Sequence, residues 1–397
     1  MGVGQRGSRP VKTRALLLFR RPDGTAGVRN HVLVLGINGL ALRVTERIAR
    51  VVPGVVCVTT ANGRGQIEPD LGVHFEQLIG LACSPNVAAV LVVGVDAGST
   101  EFVVSRIAAT GKTVQGVSFA EAHEDVLSVQ EIGVRRLVQL IHAASRCRRE
   151  PAALSNLFVG VECGHSDATS GIASNRVIGA TVDTLIDQGA TVVVGETVEW
   201  LGAEHLLTRR AREPSIGQAI VDAVKRREDI AAASGKSLTG NNPGEENIRG
   251  GLSTIEEKSL GAVMKSGTRP IDGVLGLTDR PSRNGLYLMD GPAFSPESIT
   301  GFNAVGAQIV LFSTGPGNSY ASAISPTIKI TAQKDTSRRL REQIDFDASE
   351  VFSGAMQLET AAQGVIETMI EISEGALTWG EVLGEGFELP TRIRGSL

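Results

Sequence analysis

The segment 157–205 decides the fold, and it reads LFVGVECGHSDATSGIASNRVIGATVDTLIDQGATVVVGETVEWLGAEH. An apolar run at 157–161 is followed by a polar Gly-rich loop at 162–171, a helix-like segment, a second apolar run at 190–194 and a second polar loop at 195–205. This order is typical of a parallel α/β sheet, in which both loops lie at the carboxyl ends of their strands. One sheet edge would then collect a thiol, two imidazoles, carboxylates and hydroxyls. That set of groups indicates a metal site or a polyhydroxy-acid site.

Length and composition predict a globular protein of two domains. The 397 residues exceed what one ordinary core holds, and 42% apolar with 21% charged residues fits the globular class. Aromatic residues make up only 4%, which argues against surfaces that stack on nucleobases. A net charge of -4 gives no electrostatic reason to expect nucleic acid or an anionic membrane as a partner.

Cysteine usage and the N-terminus predict a cytoplasmic protein. The spacing of Cys57, Cys83, Cys147 and Cys163 matches neither a metal knuckle nor a secreted disulfide scaffold. The apolar run 15–19 is too short for a signal-peptide core, and it is followed by two arginines. No segment approaches the roughly 20 apolar residues of a membrane span.

Strands and helices alternate on both sides of a charged, proline-containing segment at 147–156, which we interpret as a linker. The strands are apolar throughout, most clearly at 87–95, as in parallel sheets that are covered on both faces. We therefore predict an α/β fold of two domains with mainly parallel, Rossmann-like sheets and helices on both faces. The predicted parts are a flexible N-terminus (1–20), a first α/β domain (21–148) and a C-terminal α/β domain (155–397) that carries the metal or active site.

Several loops suggest ligand chemistry without defining it. The polar Gly/Asn/Pro segment 234–251 is too long for a plain connector, so we predict a lid or substrate loop. Gly-rich turns at 36–39, 94–98 and 314–317 lack the full dinucleotide fingerprint. They are explained as tight strand-to-helix turns, although their amides could hold a carboxylate or sulfonate. The absence of a Gly-x-Ser-x-Gly elbow counts against an acyl hydrolase.

Each candidate in the 157–205 segment has a structural alternative. Cys163 is either a metal ligand or a small buried apolar residue, and its polar neighbours favour the first. His205 is either a ligand or a helix residue that bonds locally. The polar run 166–170 could cap the following helix, but one cap needs one such residue and this run has four.

Six segments resemble the altronate/galactarate dehydratase family, and together they run from about residue 20 to the C-terminus. Within that family, the segments 62–75 and 383–392 are most similar to sulfolactate sulfo-lyases. The six segments are 21–31, 85–94, 163–171, 195–197, 202–207 and 250–261.

The resemblance implies a lyase that acts on a 2-hydroxy acid, such as a sugar acid or sulfolactate, with a divalent metal. Iron as Fe²⁺ is the usual metal, and Mn²⁺ is an alternative. It also implies a small β-rich companion, because many relatives begin with a β-rich domain that is absent here, and we expect a homo-oligomer. The chain departs from the family pattern at 60–64, where relatives carry a His or Cys and this loop has neither. Gly164 and His165 also replace the small or acidic residue that is common beside the cysteine.

Two classes of function remain open. The first is β-elimination of water or sulfite from a 2-hydroxy acid, which requires stabilisation of an enediolate. The second is a non-catalytic or scaffold subunit that kept the fold but lost chemistry at 60–64. For the enzyme we predict metal ligands at Cys163, Glu196 and His205, and catalytic groups at His165, Glu204 and Lys258. The predicted substrate-binding residues are Arg29, Arg64, Ser166, Asp167, Thr169 and Ser170.

Overall fold

The structure is a computed structural model that describes residues 15–235 and 243–392. Its strands are β1 (Leu16–Arg20), β2 (Ala26–Gly27), β3 (His31–Gly36), β4 (Val56–Val58), β5 (Val87–Gly94), β6 (Thr113–Ser118), β7 (Arg149–Ala152), β8 (Phe158–Cys163), β9 (Thr191–Val194), β10 (Ile271–Leu275), β11 (Leu286–Met289), β12 (Ile309–Ser313), β13 (Thr327–Thr331) and β14 (Phe346–Asp347). Its α-helices are α1 (Leu42–Val51), α2 (Asp70–Ala82), α3 (Ala97–Ala108), α4 (Val126–Ala144), α5 (Asn175–Asp187), α6 (Glu204–Thr208), α7 (Pro214–Ala233), α8 (Glu245–Arg249), α9 (Ile255–Ala262), α10 (Ser295–Val305), α11 (Lys334–Arg339), α12 (Ser349–Phe352), α13 (Leu358–Glu374) and α14 (Trp379–Leu383).

The first parallel sheet has the strand order β4-β3-β5-β6. Its central strands β3 and β5 are mostly apolar and buried, because helices cover both faces of the sheet. Val32 and Val34 pack against α1 and α4, whereas Leu33 and Leu35 pack against α2 and α3. Alternate side chains along β3 therefore pack into two apolar clusters, one on each face of the sheet.

The second parallel sheet has the strand order β10-β11-β9-β8-β12-β13-β14. Helices α5 and α13 pack together beside one face, and α10 covers the other. The chain leaves β8 towards β9 on one side and later returns to β12 on the other side. The order thus reverses at β8, and the carboxyl end of such a switch point is where open sheets bind ligands. The predicted α/β class with mainly parallel sheets and helices on both faces is confirmed.

A small antiparallel sheet corrects two expectations. Residues 16–20, which we assigned to a flexible N-terminus, form β1, and residues 149–152 of the predicted linker form β7, which pairs with β1. Leu16 and Leu18 point into the core of the second sheet and are fully buried. The charges and Pro151 misled the prediction, because edge strands tolerate both.

The segment 120–146 has helical spacing and predicts one helix, but helix α4 begins only at Val126. His123 and Glu124 have positive φ angles, and Asp125 caps the helix by accepting hydrogen bonds from the amides of Leu127 and Ser128. A capped start after two left-handed residues excludes a helix that begins at residue 120. None of the helices in the described ranges is long and apolar enough to span a bilayer.

The two sheets are joined by packing and by buried polar contacts. Helix α2 packs along α10, so that each layer covers part of the other. The Asn86 side chain donates hydrogen bonds to the carbonyls of Gln308 (2.8 Å) and Ile324 (3.0 Å). Arg29 is buried at the same junction and forms an ion pair with Glu381 at 2.6 Å.

Candidate active site

A cavity of about 650 Å³ opens at the carboxyl edge of the second sheet, over the switch point at β8. Its walls come from the loops after β8, β9 and β12, from α8 and α9, and from the C-terminal tail. The sequence-predicted residues that line it are Cys163, His165, Ser166, Glu196 and Lys258. These five residues lie together at the sheet edge that the sequence analysis selected, and other parts of the chain supply the rest of the wall.

Three buried carboxylates lie beneath the cavity. Glu162, Glu196 and Glu199 each offer an oxygen within 4.8 Å of the others, a spacing that suits one metal ion. The Cys163 thiol donates to both oxygens of Glu199, with Sγ at 3.0 and 3.1 Å. Carboxylates and a thiol are ligands for divalent transition metals.

Two lysines supply positive charge to this group. The ammonium of Lys265 is fully buried, contacts a carboxylate oxygen of Glu199 and lies 3.3 Å from the Cys163 Sγ. Lys258 Nζ lies 3.7 Å from the other oxygen of Glu199. Although burial raises the pKa of Glu199, the two ammonium groups outweigh it and hold the pKa below its usual value. Burial lowers the pKa of Lys265, but the surrounding thiol and carboxylates raise it well above normal.

The other acidic groups beside Glu199 have raised pKa values. Burial raises the pKa of Glu162 to about 7. Burial and the adjacent carboxylates of Glu162 and Glu199 raise the pKa of Glu196 well above its usual value. Burial and Glu199 raise the pKa of the Cys163 thiol in the same way. A further cation in this place would stabilise the ionised forms of all three.

Glycines allow the carboxylates to approach one another. A Cβ at Gly195 would lie 2.4 Å from the Ser298 Oγ and 2.8 Å from a carboxylate oxygen of Glu162. Ser298 on α10 donates to that oxygen, and the Cys163 amide donates to the other at 3.2 Å. The glycine that begins the second polar loop therefore leaves room for a buried acid on the neighbouring strand.

His165 is held in an uncommon backbone conformation at the mouth of the cavity. Its φ angle is 58°, which few residues other than glycine adopt. Its carbonyl accepts a hydrogen bond from the Gly315 amide, and its Nδ1 lies 3.1 Å from the Gly317 carbonyl. A carbonyl partner requires the proton on Nδ1, so Nε2 is left with a free lone pair.

Two predicted residues from the second polar loop lie away from the cavity. His205 is exposed on the short helix α6, so Cys163, Glu196 and His205 do not form one metal site. Glu204 begins the same helix, outside the cavity wall, and its buried Oε2 has no hydrogen-bond partner among the described residues. The loop turns away after Thr197–Trp200, whose side chains are buried in the core.

The predicted arginines also lie elsewhere. Arg29 fixes the junction of the two sheets through Glu381 and through the carbonyls of Ile372 and Ala376. Arg64 is exposed on the loop that follows β4 of the first parallel sheet, outside the cavity wall. The prediction that they bind substrate has no geometric support from this cavity.

In the polar run 166–170, one residue lines the cavity and three shape the start of the following helix. Ser166 lines the cavity, whereas the Asp167 carboxylate accepts hydrogen bonds from Thr169 Oγ1 (2.7 Å) and from the Ser170 amide (3.0 Å). Ser170 Oγ in turn accepts from the Asp167 amide. Asp167, Thr169 and Ser170 thus shape the turn into the π-helical segment Ser170–Ser174, which is the capping alternative.

The predicted lid can be followed only in part. Within 234–251, residues 236–242 lie outside the described residues, and α8 occupies Glu245–Arg249. Asn247 on this helix lines the cavity and donates to the Ser166 carbonyl at 2.8 Å. The described part is therefore a packed wall of the cavity.

Sequence reasoning missed the inner members of the charged group. Glu199 follows Glu196 by three residues, and Lys265 follows Lys258 by seven, so each pair shares one helical face. That spacing was the available signal. Glu162 was considered only as a polar neighbour of Cys163, although a carboxylate near the end of an apolar strand is itself an unusual feature.

Two family models match this chain. The family model for the second domain of D-galactarate dehydratase/altronate hydrolase matches residues 18–152, and the model for the C-terminal part of D-galactarate/altronate dehydratase matches residues 154–394. The second match covers more than half of the chain, including the whole cavity.

Named relatives belong to the same group. The chain is 37% identical to the (2R)-sulfolactate sulfo-lyase subunit beta of Chromohalobacter salexigens, across 96% of this chain and 98% of the relative. It is 30% identical to the altronate dehydratase of Escherichia coli, across 93% and 76%. It is 29% identical to the galactarate dehydratase (L-threo-forming) of the same organism, across 78% and 57%. These names are of the two enzyme types predicted from the sequence, hydro-lyase and carbon–sulfur lyase, and the chain belongs to the D-galactarate/altronate dehydratase family of lyases.

Proposed function

We propose that the chain is a metal-dependent lyase that removes water or sulfite from a 2-hydroxy acid and yields a 2-keto acid. The observation that carries this proposal is the cavity at the switch point, where a buried acid group, a lysine and an oriented imidazole converge. The names of the relatives support the same chemistry.

The acid group fits a divalent cation. From the described part of the chain, the Glu196 carboxylate receives a single long hydrogen bond, 3.5 Å from the Ser295 hydroxyl. A buried carboxylate with so little support is costly unless a cation balances it. We propose that Glu196 holds the metal together with Glu162 and Glu199, with Cys163 as an additional donor, and that the metal is Fe²⁺ or Mn²⁺. Such an ion would act as a Lewis acid for the enediolate.

Two residues of the wall provide the remaining chemistry. Lys258 carries a permanent charge at the cavity surface, and we propose that it binds the substrate carboxylate. His165 takes the α-proton at Nε2, because Nδ1 is committed to the Gly317 carbonyl. The same Nε2–H then protonates a departing hydroxide, whereas sulfite would leave without that help.

The test is a screen of aldonic, aldaric and sulfonated 2-hydroxy acids for 2-keto-acid formation, with Fe²⁺, with Mn²⁺ and after chelation. We expect activity that depends on the metal and is lost in His165→Asn. No product from any acid, together with no metal uptake, would favour the alternative of a non-catalytic subunit.

Metal content separates the ligand set from its alternatives. We expect Glu196→Gln to lose most bound metal by elemental analysis. His205→Ala is the matched control, since His205 is exposed away from the acid group, and it should keep its metal. Equal metal content in the two variants would contradict the ligand assignment.

We also propose that the chain works in the cytoplasm with a small companion subunit, as a homo-oligomer of such pairs. One relative is named as a beta subunit, and the altronate dehydratase is longer than the part that this chain matches. All four cysteines are free, which suits a reducing compartment. Purification from the native host should yield a companion of about 100 residues. A fully active chain without one would overturn this part of the proposal.

A further inference from the structure

The C-terminal tail builds one wall of the cavity. Glu385 and Phe387 line the cavity here, beside Asn318 and Ser319 from the loop after β12. We propose that Glu385 is the centre of a distal subsite that accepts hydrogen bonds from the hydroxyl groups of a polyhydroxylated monoacid. The inference rests on the proposed lyase function and narrows its substrate class.

The tail that carries this subsite is firmly held. The buried Glu388 carboxylate accepts hydrogen bonds from Ser322 Oγ (2.6 Å), Thr300 Oγ1 (2.9 Å) and the Ala323 amide (3.0 Å). The Phe387 amide donates to the Ala321 carbonyl at 3.2 Å. These contacts fix the position of Glu385, and a fixed acceptor is what specific recognition of a hydroxyl group requires.

Glu385 presents an acceptor to the cavity while its partner stays enclosed. Lys329 Nζ lies 2.7 Å from Glu385 Oε2 and 3.0 Å from the Ser319 carbonyl, and the Lys329 side chain is fully buried. The Glu385 side chain is 19% exposed. A carboxylate has about four lone-pair sites, so the ion pair leaves capacity for substrate hydroxyls. A ligand meets this carboxylate and not the ammonium behind it.

The strand order places the two ends of the cavity far apart. Glu196 follows β9, whereas Lys329 belongs to β13, and β8 and β12 lie between them. Three strand spacings correspond to roughly 14 Å. The end near Glu196 also holds Lys258, which is the one permanent cation among the described residues that line the cavity.

A cation at one end of the cavity and a carboxylate at the other favour one class of hydroxy acid over the others. A single carboxylate binds at the end with Lys258, and a hydroxylated chain extends towards Glu385. A second anionic group on the substrate would instead meet the Glu385 carboxylate without a lining cation to pair with it. Aldonic acids therefore fit this cavity better than aldaric acids or a sulfonated hydroxy acid.

The test compares kcat/KM for an aldonate with kcat/KM for the aldarate that differs only by oxidation of its terminal CH₂OH. We expect the intact chain to favour the aldonate at least tenfold. Glu385→Gln keeps an acceptor for Lys329 but removes the negative charge, and should reduce this ratio at least threefold. The ratio does not depend on how much of the variant is folded. Glu101→Gln, on the exposed face of α3, is the matched control and should leave the ratio unchanged.

The outcomes separate the subsite from the lyase function. The subsite alone is overturned if the substrates are turned over but Glu385→Gln changes the aldonate-to-aldarate ratio by less than twofold. It is also overturned if the intact chain prefers the aldarate or sulfolactate. If no acid is turned over, the lyase function fails. In that case calorimetry measures how much more tightly the chain binds galactonate than galactarate. This preference in binding then decides the subsite by the same criteria.

Discussion

The carboxyl edges of the two parallel sheets share an architecture but use their polar side chains differently. At the first sheet, Asn38, Thr60 and Asp96 each accept a hydrogen bond from a nearby backbone amide, so their oxygens serve to close turns. At the second sheet, Glu196 and Lys258 face a cavity, and charges accumulate beneath it. Polar loops at strand ends therefore identify an edge where binding is possible, whereas chemistry requires side chains that local turns do not consume.

The largest expected effect concerns the buried charges of the second edge. Lys265→Met leaves the Glu199 carboxylate buried and poorly compensated, so we expect a loss of about 3–5 kcal/mol in unfolding free energy. Urea unfolding in the presence of a chelator measures it. Arg106→Met is the matched variant beside the first sheet, because it breaks the exposed pair with Glu76 and should cost below about 1 kcal/mol. Equal losses would remove the energetic difference between the two regions.

A second prediction concerns the amino end of the first sheet, where His31 is partly buried. Burial lowers the pKa of His31 to about 4, with Glu381 opposing and Arg29 reinforcing the shift. Between pH 6.5 and 4 the folded state therefore binds fewer protons than the unfolded state, and stability falls as the pH falls. His31→Gln should remove up to about 3 kcal/mol of this loss. Unfolding free energies of both proteins from pH 7 to pH 4 check it, and parallel curves would contradict it.

A third prediction compares the effect on kcat/KM of one substitution at the carboxyl edge of each sheet. His165→Asn should lower kcat/KM by about 100-fold, because the proposed proton acceptor at Nε2 disappears. Asp96→Asn, at the corresponding edge of the first sheet, should change kcat/KM by less than about twofold. A comparable loss in both variants would place catalysis at both edges.

The smallest expected effect is structural. Asp96 caps α3 by accepting a hydrogen bond from the Ser99 amide at 2.7 Å. Asp96→Ala should therefore lower the unfolding free energy by about 1 kcal/mol without loss of activity. Thermal unfolding and the lyase assay together test it, and an inactive but stable variant would contradict the capping role.

The fold was predictable because strand-length apolar runs such as 87–95 have one interpretation when helices follow them. The β1–β7 pair was not predictable, since the buried alternation of Leu16 and Leu18 is short and β7 carries charges. The cavity-lining positions were predictable where a polar residue ends a strand or follows it closely, as with Cys163 and Glu196. It was not predictable for Glu385, which comes from a distant part of the chain and reaches the cavity only through tertiary packing.

The directions of the predicted residues also required the structure. Glu204 and His205 are near Glu196 in sequence, but the loop turns away between them. Asp167 is near His165 in sequence, yet its carboxylate closes a turn. Distance along the chain does not fix side-chain direction in loops, because each φ angle, such as the 58° of His165, redirects the chain.

The central claim is that the second edge removes an α-proton and a β-leaving group from a 2-hydroxy acid. The most direct measurement is the reaction in D₂O with Fe²⁺ or Mn²⁺ and an aldonate, with the product analysed by mass spectrometry and NMR. The account predicts a 2-keto acid that carries one solvent deuterium at C3, formed at least 100-fold more slowly by His165→Asn. Absence of any 2-keto acid, or a product without deuterium at C3, would contradict it.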